Sequence, residues 1–145
     1  MEPILGICGA SYYDGTACHL DLVQWATNPT WGNLASSVRK KLIAEDAAFL
    51  AGQLRNESIR LLLVNGASVR RQLQTATQGT LEIEYKEIIR GFSHQPTLLE
   101  SGRLFGKVCV VAWSTNLQSS FGVTTSLREE LARRAACLYA HFLGR

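Results

Sequence analysis

Across residues 38–55 the apolar side chains Leu42, Ile43, Ala47, Leu50 and Leu54 recur at helical spacing, while Arg39, Lys40, Glu45 and Gln53 fall on the polar side. That spacing predicts an amphipathic helix with Ser37 as its N-cap. A second stripe, Leu127, Leu131, Ala135, Leu138 and Phe142, predicts a last helix that opens at the capping box Ser126-Leu127-Arg128-Glu129 and ends at Gly144. A shorter helix, Ser68 to about Ala76, follows the turn Asn65-Gly66.

Between these helices the period changes. Ile59–Val64 and Val108–Ala112 are apolar on both faces, as buried strands of a parallel sheet are. Leu81–Ile89 alternates Leu81, Ile83 and Tyr85 with Glu82, Glu84 and Lys86, which predicts a half-exposed edge strand. A further strand is expected over 17–24, where Leu20, Leu22 and Gln24 alternate with His19, Asp21 and Val23. Residues 91–106, with Gly91, Pro96, Gly102 and Gly106, read as a long loop, and Ile4–Cys8 fits either a strand fragment or a helix end. Strand and helix alternating in this way predict an α/β fold: a three-layer sandwich with a mostly parallel central sheet and helices on both faces.

Composition adds limits to this picture. With 145 residues, 46% of them hydrophobic and 19% charged, the chain reads as one domain, 1–145, and not as a disordered segment. Its apolar runs fall far short of the roughly 20 residues that cross a bilayer. The N-terminus lacks the basic region of a secretory signal, so a cytoplasmic protein with no membrane partner is expected. Cys8, Cys18, Cys109 and Cys137 form no C-x-x-C pair and are expected to be buried free thiols. His19, His94 and His141 have no companion at metal spacing, so no metal and no cofactor is predicted. The net charge of +3 permits an anionic partner, and Arg39-Lys40-Lys41, Arg70-Arg71 and Arg133-Arg134 read as solvated helix faces or as phosphate contacts.

In an open α/β sheet, ligands bind beyond the carboxyl ends of the strands, which selects the loops at 25–33, 65–68 and 113–122. The last is unusual, because a buried strand runs into a long polar segment whose hydroxyls and amides can bond a ligand phosphate or each other. Asn65-Gly66-Ala67-Ser68 lacks the Lys and glycine spacing of a phosphate-cradling loop, and neither G-x-G-x-x-G nor G-x-S-x-G occurs.

The order of elements, together with Val110-Val111-Ala112-Trp113-Ser114-Thr115-Asn116-Leu117-Gln118-Ser119, resembles the C-terminal part of the uracil-DNA glycosylase superfamily. Members of that superfamily end a buried strand in a His-Pro-Ser-Pro-Leu-Ser type loop. The resemblance places Trp113 at the catalytic His position, Thr115 at the Ser position and Leu117 at the wedge Leu. It also places Asp21, in Asp21-Leu22-Val23-Gln24-Trp25-Ala26-Thr27, where the family has a base-reading Asn, and Leu62-Leu63-Val64-Asn65-Gly66 where a strand opens its next helix.

Such an enzyme flips a nucleotide from the stack, so it needs phosphate contacts, an apolar side chain to fill the gap and a pocket for the base. Leu117 is the implied wedge, and Ser114, Thr115, Asn116, Ser119 and Ser120 are the implied DNA contacts; alternatively Leu117 packs in the core and the serines satisfy turn backbone. Trp113 donates a hydrogen bond but does not take up a proton. Asp21 only accepts, which would favour a cytosine-type amino group over uracil, unless it pairs with a basic neighbour. The family's Gly-x-Asp-Pro type catalytic loop has no match here. Asp14, in an Asp-Gly turn, is the candidate in its place.

The resemblance thus covers about the later two-thirds of the family's domain. The N-terminal strand and catalytic loop are then either lost or supplied by another segment or by a second copy in a homo-oligomer. The implied activity is hydrolysis of an N-glycosidic bond in DNA; the alternatives are a catalytically silent nucleic-acid or protein binding module of the same fold, and a small-molecule enzyme using the same loops.

Overall fold

The computed structural model describes residues 1–55, 58–118 and 122–144. Helix α1 spans Glu2–Ile7, which settles the open reading of Ile4–Cys8 in favour of a helix. Helix α2 spans Ser36–Leu54, β1 Leu61–Asn65, α3 Ala67–Thr77, β2 Leu81–Ile89, β3 Thr97–Leu104, β4 Val108–Trp113 and α4 Thr125–Leu143. The four strands form one sheet in the order β1-β4-β3-β2.

Only β1 and β4 run parallel; β4 with β3 and β3 with β2 are antiparallel. The mostly parallel three-layer sandwich expected from the sequence is therefore incorrect, and the chain is a mixed α/β fold. Two elements account for the correction. The stretch 91–106, expected to be a loop, contains β3, which joins β4 through the three-residue turn Phe105-Gly106-Lys107. Phe105 and Gly106 have positive φ, 55° and 71°, the geometry that matches the twist of an antiparallel hairpin. The strand expected at 17–24 is absent. Leu20, Leu22 and Val23 instead lie half-buried against the α2–α3 side, and the Gln24 amide donates to Asp46 Oδ2 at 2.7 Å.

The edge strand over Leu81–Ile89 has the expected bounds, and its register shifts between Ile83 and Tyr85. Opposite the shift sits Gly102, where a Cβ would lie 2.1 Å from the Glu82 carbonyl oxygen, so the close approach of β2 to β3 requires glycine.

Side chains of β4 alternate between two cores. Cys109, Val111 and Trp113 join Leu99, Leu127, Leu131 and Ala135 on the α1–α4 face; Val108, Val110 and Ala112 join Ile43, Leu50, Leu54 and Leu73 on the α2–α3 face. Helix α4 starts earlier than expected: Thr124, not Ser126, is its N-cap, with Oγ1 accepting from the Leu127 amide at 3.0 Å. Likewise α2 is preceded by Ala35 and has no side-chain cap, so Ser37 lies inside the helix. Of the four free thiols, only Cys109 is buried. Burial pushes it up to about 11, which makes it a core residue and not a nucleophile, whereas Cys18 and Cys137 are exposed. No helix among the described residues is long and apolar enough to cross a membrane.

Candidate functional site

At the carboxyl ends of β1 and β4 the chain makes two exits that are tied together. Asn65 closes β1, and Gly66, at φ 98°, turns the chain into α3, a conformation open to glycine and costly for other residues. The Gly66 and Ala67 amides donate to the carbonyls of Trp113 and Ser114 at 3.0 and 2.9 Å. Asn65 Oδ1 accepts from both Trp113 Nε1 and the Leu117 amide at 2.9 Å, and its Nδ2 donates to Asn116 Oδ1 at 3.0 Å. One amide side chain therefore fixes the indole and the loop that follows it.

The polar loop bonds mainly to its own fold. Ser114 Oγ accepts from the Leu98 amide at 2.9 Å, and its own amide donates to the Leu98 carbonyl. Thr115 Oγ1 is 2.6 Å from Thr97 Oγ1, Asn116 Oδ1 also accepts from the Gln118 amide, and the Leu117 carbonyl accepts from Arg128 Nη2 at 3.1 Å. Leu117 is buried in the α4 core rather than raised as a wedge, and Trp113 is 1% exposed with its one donor engaged. Ser119 and Ser120 lie outside the described residues.

The two aspartates singled out from the sequence take their partners outside this loop. Asp14 sits in an exposed turn, where the Thr16 hydroxyl and then the Thr16 amide bond Oδ1 and hold its carboxyl below the usual range. Asp21 is exposed, with Oδ1 3.2 Å from His19 Nε2. A carboxyl lowered in this way, as at Asp14, is unlike one held for proton transfer, which calls for a value near the working pH.

What the fold does bring together is a cleft of about 260 Å³ beside the β4 exit, lined by Arg70, Arg71, Lys86, Glu100, Trp113 and Ser114, with Ala67, Leu98 and Ala112 completing its wall. Glu100 is 3% exposed, and its two oxygens are taken by Arg70 Nε and by Lys86 Nζ at 3.4 Å. Arg71 is exposed and makes no ion pair among the described residues. Three cations face one carboxylate, so the cleft carries two positive charges in excess.

Sequence reasoning pointed to Arg70-Arg71 as one of several basic pairs but missed Glu100 and Lys86 as its companions. The available signal was the hairpin: Leu98 to Leu104 and Val108 to Ala112, flanking Phe105-Gly106-Lys107, place Glu100 on a paired strand. Comparison of the chain with protein-family models, with curated proteins and with solved structures returned no match.

Proposed function

We propose that this domain binds nucleic acid through backbone phosphates at the cleft beside the β4 exit, as a binding module without glycosylase chemistry of its own, acting in the cytoplasm. The observation that carries this reading is the excess of cations beside the carboxyl ends of β1 and β4, with Arg71 unpaired among the described residues and Lys86 reaching the same cleft. Phosphate contacts of this kind require only positioned cations, and the resulting affinity falls steeply with salt. The self-bonded loop 114–117 and a cleft whose lining includes neither Asp14 nor Asp21 favour binding over the chemistry that resemblance to the uracil-DNA glycosylase superfamily implies.

Binding to a labelled oligonucleotide measured across salt concentrations tests this. Arg71→Glu is expected to weaken binding by roughly five- to tenfold and to lower the salt slope by about one phosphate contact. An unchanged slope, or no salt dependence in the parent protein, removes the reading.

A second reading is favoured by one observation: Glu100 is a carboxylate inside the same cleft, beside Ser114. Were it to direct a water at a flipped nucleotide, the base would leave and an abasic site would remain, read as strand scission after alkali treatment of oligonucleotides carrying uracil, cytosine or modified cytosines, and Glu100→Gln would abolish it. Absence of scission on all three leaves the binding module as the function.

A further inference from the structure

Helix α2 buries Ile43, Ala47, Leu50 and Leu54, yet it also presents apolar side chains to water. Val38, Leu42 and Phe49 stand at i, i+4 and i+11, which places them along one flank turned away from the buried stripe. Phe49 is 54% exposed and Val38 is 42% exposed. Asp46 lies one turn before Phe49, and the bond from the Gln24 amide to Asp46 Oδ2 ties the irregular segment 20–24 to this flank. The next residue is Trp25, which is 65% exposed although its neighbours Leu22 and Val23 are half-buried. A tryptophan anchored through its neighbour and left facing solvent, on the side of a helix that also exposes a phenylalanine, is an aromatic surface that the fold itself does not use.

The charges around it are specific. Arg39, Lys40 and Lys41 occupy the first turns of the same helix; Lys41 lies 3.8 Å from Glu45, while Arg39 and Lys40 make no ion pair among the described residues. Of the nearby carboxylates, Glu45 faces Lys41, and Asp46 accepts the Gln24 amide. We infer that Trp25 and Phe49 form a stacking platform for the unpaired bases of single-stranded nucleic acid, whose phosphates are contacted by Arg39, two turns before Asp46 on the same side of α2. A single strand offers a π-face and a negative charge in every repeating unit, and these are the two features that this flank complements. A duplex hides its base faces and has only its phosphates to offer. The inference rests on the proposed nucleic-acid function and sharpens it by naming the form of nucleic acid bound.

The test is titration of the full chain with oligothymidylate of about 16 nucleotides and with a duplex of the same length, followed by tryptophan emission. Of the three tryptophans Trp25 is the exposed indole, Trp113 being buried and Trp31 half-buried, so stacking should quench the Trp25 part of the emission, the part that Trp25→Ala removes. Trp25→Ala is expected to remove the quenching and to weaken single-strand binding about tenfold, with duplex binding and salt slope unchanged; Phe49→Leu, which keeps an apolar side chain there, should weaken it about threefold. Trp25→Phe should retain most of the affinity, and thermal melting of all three variants should match the parent because both positions are exposed.

Single-strand affinity unchanged in Trp25→Ala, with Arg71→Glu still weakening binding, overturns the platform and leaves the phosphate reading standing. No binding of either oligonucleotide by the parent protein removes both. Dissociation of a self-associated form by Trp25→Ala, at unchanged oligonucleotide affinity, overturns it by assigning the flank to a second copy of the chain.

Discussion

On the α4 face of the sheet, Arg134 lies between Glu87 and Glu130, Arg133 meets Glu130 at 2.7 Å, and Arg103 meets Glu84 at 2.6 Å with its guanidinium 4.6 Å above the Phe142 ring. Three arginines face three glutamates, and the helix that carries two of them packs across the strands. On the α3 face, Arg70 and Lys86 share a single glutamate, Arg71 lines the same cleft with no ion pair among the described residues, and the helix leaves that cleft open beside β2 and β3. Both faces use the same residue types. What separates a structural charge network from a binding surface here is proportion and cover: balanced charges beneath a packed helix hold elements together, whereas surplus cations beside an open cleft attract an anion.

Gly102 underlies both networks, because it lets β2 approach β3 at the point where the register shifts, and β2 carries Glu84 and Glu87 to one face and Lys86 to the other. Gly102→Ala should produce the largest effect. The added methyl meets backbone, which does not rotate away, so β2 must move and the domain should lose about 3 kcal/mol of stability by urea denaturation. Nucleic-acid binding should weaken with it as Lys86 shifts. A variant as stable as the parent would show that β2 is not held against β3 at this point.

Glu100→Gln alters the proportion alone. The shape is kept, Arg70 and Lys86 lose their counter-charge, and stability should fall by about 1–2 kcal/mol, less than for a fully buried pair because both cations reach water. Binding should change in the opposite direction. A cleft with three positive charges in place of two in excess should hold a phosphate roughly fivefold tighter, an added charge at contact distance being worth about 1 kcal/mol in water. Weaker binding in this variant would mean that Glu100 touches the ligand, and would turn attention to the hydrolytic reading.

The contrast between the faces was only partly legible in the sequence. The stripes Ile43–Ala47–Leu50–Leu54 and Leu127–Leu131–Ala135 face the cores as their spacing implies, because helical period is a local property. Strand direction is not local. Apolar β4 suits an antiparallel neighbour as well as a parallel one, and β3 was hidden by Gly102 and by the exchange of polar and apolar positions at Glu100-Ser101, both of which are buried. The alternation over 17–24 is real, but its apolar residues serve α2 and not a sheet. Asn65 read as half of a turn signal; its hold on Trp113, Leu117 and Asn116 depends on contacts more than 45 residues distant, which no spacing rule reaches. The polar character of 113–118 was visible, and which partners satisfy it was not.

The smallest expected effect lies on the balanced face. The Arg133 and then the Arg134 side chains bond Glu130 and lower its carboxyl from the ordinary 4.5 to about 2. A folded value below the unfolded one stabilises the native state above about pH 4.5, and that contribution is lost as the pH falls toward 2. Arg134→Met keeps the aliphatic stem, removes the charge and leaves Arg133 in place. At neutral pH it should cost no more than about 1 kcal/mol, the range for ion pairs that water still screens. The gap to the parent should narrow as the pH is lowered through that window, and high salt should narrow it further. Oligonucleotide affinity should stay the same, since the α4 face offers no surplus charge. Urea denaturation of the two proteins at neutral pH and at about pH 3 measures this directly. A gap that persists in acid would show that Arg134 acts through the packing of its stem between α4 and β2, and the charge balance on that face would then be a by-product of packing.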